Sequence, residues 1–230
     1  MKFLKGVTRK MVDAGASIIR LDDITGQSLY PVYKYMVHEL KKNIPEAAIA
    51  LHTHNDIGMG AASLYAGLEG GASIVDASVN GLGERAGIAP LAEVAAVIQI
   101  WFGLDAGIHL EKMKDLSELV ADLTKWPVPP KMPIVGDQAF SDLVEVHYCV
   151  PADGVWAYAH WVPSIFGNRK RNMLGQYSGP WAIRTVAREL GVSLPDDKVK
   201  AVLDRVRAEI RMRKRRLQPE EFLKIVKELN

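Results

Sequence analysis

Over its first hundred residues the chain alternates stretches of helical apolar spacing with short apolar runs suited to buried strands. Residues 3–14 read as a helix closed by Gly15, and 17–23 as a strand. A helix follows over 31–43, with Pro31 suited to its first turn. Next come a strand over 47–54, a helix over 61–69, a strand over 73–80 and a helix over 91–102. A short internal echo supports this register: Gly15-Ala16-Ser17-Ile18-Ile19 and Gly71-Ala72-Ser73-Ile74-Val75 each mark a helix end running into a buried strand. Strands separated by helices imply a parallel sheet.

The faces of those strands differ. Val75, Ala77 and Val79 make an apolar face, whereas Asp76, Ser78 and Asn80 make a polar one. On the first strand Ile19 and Leu21 oppose Arg20 and Asp22; on the second, His52 and His54 oppose Ile49, Leu51 and Thr53. An open doubly wound sheet needs apolar residues on both faces. One polar face suits a parallel α/β barrel whose lumen holds a site, with chemistry at the carboxyl ends of the strands.

Beyond Gly103 the pattern changes. Residues 110–125 read as a helix, and the proline-rich stretch 126–133 as a linker. Residues 139–148 read as helical, followed by an irregular stretch to Ser178 and helices over 180–190, 196–213 and 219–229. The expected organisation is an α/β domain over 1–130 and an all-α domain over 131–230. Net charge is +2, so nothing global points to nucleic acid. The basic run Arg205–Arg216 is expected to be a solvated helix face rather than a site for CoA phosphates or RNA. The lone Cys149 suits a reducing cytoplasm, and no apolar run is long enough to span a membrane.

Three strand ends are rich in polar or glycine residues: Asp22-Asp23-Ile24-Thr25-Gly26, His52-Thr53-His54-Asn55-Asp56 and Asn80-Gly81-Leu82-Gly83-Glu84-Arg85-Ala86-Gly87. Strand parity sends both imidazoles of the second to one face, roughly 6.5 Å apart, a spacing at which they can grip one divalent metal. The same pair also suits ordinary strand histidines hydrogen-bonded to neighbours. The glycine-rich third loop alone suits a phosphate cradle or a plain turn, and it lacks the lysine of a P-loop.

Together, the His-x-His-Asn-Asp and Asn-Gly-Leu-Gly-Glu-Arg-Ala-Gly motifs resemble the isopropylmalate, homocitrate and citramalate synthase family, metal-dependent acyl-CoA condensing enzymes on a TIM barrel. The likeness continues through Pro133-Ile134-Val135-Gly136-Asp137-Gln138-Ala139-Phe140, Tyr158-Ala159-His160-Trp161-Val162-Pro163, Phe166-Gly167 and Leu174-Gly175-Gln176-Tyr177-Ser178-Gly179. It implies a divalent metal (zinc, manganese or magnesium) on His52 and His54, acting as a Lewis acid on the ketone of a 2-oxo acid. It further implies proton removal from acetyl-CoA, attack of the enolate on the ketone, and hydrolysis of the thioester. Glu84 and Arg85 match the loop beside the site, Glu84 in a catalytic and Arg85 in a substrate-binding role. His147 and Tyr158 match catalytic post-barrel residues that reach a neighbouring subunit's site. Glu84 paired with Arg85, and Tyr158 as a core aromatic, are the plain alternatives.

The likeness also shows a shortfall. A barrel needs eight strands and about 250 residues, whereas only three strands precede the final helices, and no Arg-Asp-Gly occurs to supply the family's third metal ligand. The expected fold is the carboxyl-terminal three strands of a TIM barrel with an all-α post-barrel domain, completed by an amino-terminal half-barrel partner in a homo- or hetero-oligomer; a truncated, inactive reading frame is the competing origin. Asp23-Ile24-Thr25-Gly26 departs from the family's Asp-Thr-x-Gly, leaving Thr25 as the substitute contact to the oxo acid. Arg20 reads either as half of an internal ion pair or as a fork for the distal carboxylate of a dicarboxylic oxo acid. A lyase or carboxyltransferase on the same barrel, and a non-catalytic subunit, are the other function classes.

Overall fold

The computed structural model describes residues 1–142 and 161–229. It divides into two compact units, Met1–Pro129 and Pro130–Asn230.

In the first unit the chain runs through α1 (Lys2–Asp13), β1 (Ile18–Asp23), α2 (Tyr30–Asn43), β2 (Ala48–Thr53), α3 (Gly60–Glu69) and β3 (Ile74–Val75), then α4 (Leu91–Ala96) and α5 (Met113–Thr124). The three strands form one parallel sheet in the order β1-β2-β3. Ile18 stands beside Ala48 and Asp22 beside His52. Burial along β1 alternates as its side chains do: Ile19, Leu21 and Asp23 are buried, while Ile18, Arg20 and Asp22 are exposed. Leu21, Ile49 and Leu51 join Tyr33, Val37, Leu40, Leu64 and Val94 in the unit's core. The Tyr33 hydroxyl donates to the carbonyls of both Leu21 and His52, pinning α2 across two strand ends. Burial pushes its phenol above the ordinary range.

Helix α3 comes close to β2 because Gly67 has no side chain; a Cβ there would collide with Leu51 Cδ1. Leu51 is fully buried, so Leu51→Ala is expected to destabilise this unit by about 2–5 kcal/mol, the usual cost of an unfilled core cavity. A fall in the denaturant midpoint checks it.

Two expectations for this unit need correction. The third strand ends at Val75 rather than running to Asn80. The Asp76 amide still donates to Leu51, but beyond it the returning segment takes the place beside β2: Ala89 N donates to Thr53 O, Asn55 N to Gly87 O, and Ile88 bridges His54. Asn80 therefore lies in a short 3-10 turn with φ of 58°, its side chain holding Ser117 on α5. The helix expected over 91–102 is α-helical only to Ala96. It then widens into a π turn over Val97–Trp101, where Phe102 N donates five residues back to Val97 O.

The second unit contains β4 (Ser141–Asp142), β5 (Arg171–Asn172), α6 (Pro180–Glu189), α7 (Val199–Arg213) and α8 (Pro219–Leu229). The three helices enclose a core of Ile183, Val202, Val206, Phe222 and Val226. The expectation that this region is all-α is corrected: β4 and β5 pair in parallel. Residues 139–140 are turn and lead into that pairing, and the rest of the stretch expected to be helical, 143–148, lies outside the described residues. Short apolar runs do not distinguish the two conformations, and the partner strand lies thirty residues on. Asn168, buried, donates through Nδ2 to the carbonyls of Ile134 and Gly136, and Ser178 caps its own turn at Gly175. The basic run on α7 is laced to acids, with Glu209 taking Arg205 and Arg213, and Glu221 taking Arg213 and Arg215. The Arg215 hydrogen bonds hold the Glu221 carboxyl down to about 2. No helix among the described residues is long and apolar enough to cross a membrane.

Candidate functional site

The carboxyl ends of β1 and β2 meet the glycine-rich loop 81–87, and nearly every residue of His52-Thr53-His54-Asn55-Asp56 has an identifiable task there. Thr53 and Asn55 build the turn into α3: the Thr53 hydroxyl donates to Gly60 O at 2.9 Å, and Asn55 Oδ1 accepts from Gly60 N at 3.0 Å. That leaves the flanking imidazoles side by side, with ring centroids 5.3 Å apart and planes inclined at 64°.

The two rings have different surroundings. His52 is partly exposed, and its Nδ1 lies 3.1 Å from Asp76 Oδ2. His54 is 7% exposed, and its Nδ1 is buried with no hydrogen-bond partner among the described residues. A buried polar nitrogen without a partner is costly unless something outside the described residues satisfies it. A divalent ion held by this pair would satisfy it, so His52 and His54 fit such a group by donor type and by an unfilled valence. Among the described residues no group of three or more His, Cys, Asp or Glu that could hold a metal ion comes together.

Arg20 and Asp76 flank the pair. Arg20 Nη1 is 3.4 Å from the Asp76 oxygen that faces His52, and the Arg20 side chain is 54% exposed. Thr25 donates its hydroxyl hydrogen to Asp23 Oδ1 at 3.1 Å, and the other Asp23 oxygen accepts from Ser28 N at 2.8 Å. The loop after β1 thus closes on itself.

Arg85 sits on the third loop with φ of 57° and grips both neighbouring loops. Its Nε and Nη2 reach the two Asp56 oxygens at 2.7 and 3.0 Å, and Nη2 also donates to Ile24 O. The hydrogen bonds from Arg85 hold the Asp56 carboxyl below its ordinary range. The expected alternative, a Glu84–Arg85 pair, is only a 3.8 Å approach with Glu84 82% exposed. A lysine cannot make this fork. Arg85→Lys is therefore expected to leave helicity unchanged while the Asn55 and Gly87 amides exchange several-fold faster, as hydrogen exchange reads it.

His52, His54, Arg20, Thr25, Glu84 and Arg85 thus all lie on or beside the three strand ends. His147 and Tyr158 lie outside the described residues. Asp76 and Asp56 are partners that the sequence does not single out. The signal for Asp76 is its place with Ser78 and Asn80 on the polar face expected of the third strand; nothing local marks Asp56 as the anchor of Arg85.

A family model described as HMGL-like matches residues 1–120. A homocitrate synthase of Saccharolobus islandicus is 35% identical over 212 residues, covering 92% of this chain and 46% of that protein. One from Sulfolobus acidocaldarius is 34% identical over 208 residues, covering 90% and 44%. The chain thus spans less than half the length of these curated relatives. A hydroxymethylglutaryl-CoA lyase from Pseudomonas aeruginosa shares the fold over 54% of this chain and 43% of its own, with a TM-score of 0.50 and 20% identity.

Proposed function

The chain belongs to the HMGL-like family, and from that membership we propose that it carries the metal-binding part of an enzyme condensing acetyl-CoA with a 2-oxo acid. The observation that supports this most is the His52–His54 pair at the end of β2, one ring oriented by a carboxylate and the other holding a buried, unpartnered nitrogen. Identity to homocitrate synthases over nine-tenths of the chain weighs for condensation. The second reading, a lyase on the same barrel type, is the printed activity of a protein that shares the fold.

In this proposal the three strands are part of a TIM barrel, and the helical unit follows the barrel as in a synthase. The remaining strands precede these, supplied by a half-barrel partner in a homo- or hetero-oligomer, and bring the third ligand. Cytoplasmic residence accords with a sequence that has a single cysteine.

A divalent ion (zinc, manganese or magnesium) on His52 and His54 would supply Lewis-acid polarisation of the oxo acid's ketone. The chain's own groups do the rest. His147 takes a proton from the acetyl methyl, a step suited to an imidazole, and Tyr158 and Glu84 assist around the reacting carbons. The enolate carbon bonds to the ketone carbon, the new alkoxide gains a proton, and water cleaves the thioester to release the CoA thiol. Arg20 and Thr25 face the oxo acid, Arg20 toward a distal carboxylate such as that of oxaloacetate or 2-oxoglutarate. Arg85, held by Asp56, keeps the loops in place around the substrate.

The test is thiol release from acetyl-CoA by the chain co-expressed with a half-barrel that opens on Arg-Asp-Gly. Release that depends on both metal and a dicarboxylic oxo acid supports the proposal. Preference for 2-oxoisovalerate sinks the Arg20 assignment. Cleavage of a hydroxyacyl-CoA without condensation favours the lyase.

A further inference from the structure

Asp76, the carboxylate beside His52, has a task of its own. Its Oδ2 lies 3.1 Å from His52 Nδ1 and 3.4 Å from Arg20 Nη1. Its backbone is fixed too, because its amide donates to Leu51 O at 2.9 Å, so the carboxylate is delivered from the last residue still tied to β2. A carboxylate only accepts hydrogen bonds. In the neutral ring the contact therefore puts the hydrogen on Nδ1 and leaves the lone pair on Nε2. Imidazoles that hold metals characteristically have their other ring nitrogen oriented in this way by a carboxylate or carbonyl.

We propose that Asp76 is a positioning residue that fixes His52 as its Nδ1–H tautomer, with Nε2 as the donor atom, and that Arg20 steadies the Asp76 carboxylate in that pose. The proposal rests on the metal-centre reading of the His52–His54 pair. It also gives Arg20 a task that needs no substrate. His54 has no such partner among the described residues, so the two imidazoles are prepared differently: His52 is oriented before an ion arrives, and His54 is held by burial.

The experiment has two readouts on the whole chain. The first is the tautomer of His52 in the metal-free protein, read from nitrogen-15 shifts of labelled histidine and assigned with a His52→Gln variant. The second is the affinity for Co²⁺ alone. Wild type is expected to show Nδ1–H at His52. Asp76→Ala is expected to move the hydrogen to Nε2 and weaken Co²⁺ about 10–100-fold, the usual effect of losing such a partner. Asp76→Glu is expected to recover the Nδ1–H form. If the alanine variant does not fold, isosteric Asp76→Asn makes the same comparison: its neutral carbonyl is a weaker acceptor, and an intermediate loss of affinity is expected. An unchanged tautomer, or a changed tautomer with undiminished Co²⁺ affinity, overturns the proposal. Failure of the underlying metal centre looks different: His52→Gln then binds Co²⁺ as tightly as wild type, whatever the tautomer does.

Discussion

Replacing His52 and His54 together with alanine is expected to remove divalent-metal binding while leaving the fold intact. His52 is partly exposed, and His54, though buried, is not part of the apolar cluster that forms this unit's core and has no hydrogen bond from Nδ1 to lose among the described residues. The turn into α3 survives, because it is built by Thr53 and Asn55. Loss of one outer-shell partner already costs about 10–100-fold in metal affinity, so loss of both proposed donors is expected to exceed that and to abolish the metal-dependent thiol release proposed for the chain joined to its half-barrel. Zinc titration of the wild-type and doubly substituted chains, with circular dichroism to confirm equal helicity, reads the result. Equal affinity in the two proteins moves the ion, if there is one, away from this pair.

The second large effect is expected at Gly87. Its φ is +79°, and a Cβ there would collide with the Gly81 carbonyl oxygen. The left-handed backbone alone costs a residue with a side chain about 1–2 kcal/mol, and forcing the carbonyl aside adds about 1–3 kcal/mol. Gly87→Ala is therefore expected to destabilise the first unit by about 2–5 kcal/mol. The damage also reaches the site, because Gly87 O accepts from Asn55 N and Ile88 bridges His54. Metal affinity is expected to fall with stability, which separates this variant from a core substitution such as Leu51→Ala. A denaturant midpoint unchanged by Gly87→Ala contradicts this account of the loop.

Much of the first unit was legible because its signals are local. The alternation along β1 sorted Ile19 and Leu21 from Arg20 and Asp22, and burial follows the same division. The two imidazoles were placed side by side by parity alone, and their rings lie together. The end of β3 was not legible in this way. Val75, Ala77 and Val79 alternate as a strand should, but pairing depends on what lies beside β2, and residues 87–89 occupy that edge. The β4–β5 pair was missed for the same reason, since each strand has two residues and the partner is distant. Within the site, residue types were readable and partnerships were not. Arg85 carried its charge openly in the sequence, while its grip on Asp56 and Ile24 exists only once three loops converge.

The central claim is that two strand-end imidazoles hold one divalent ion. X-ray absorption on the zinc-loaded, assembled enzyme tests it most directly. The account predicts one zinc per chain, with two imidazole nitrogens at about 2.0–2.1 Å and both lost when His52 and His54 are replaced. Zinc surrounded only by oxygen or sulfur, or no bound zinc at saturating concentration, contradicts it.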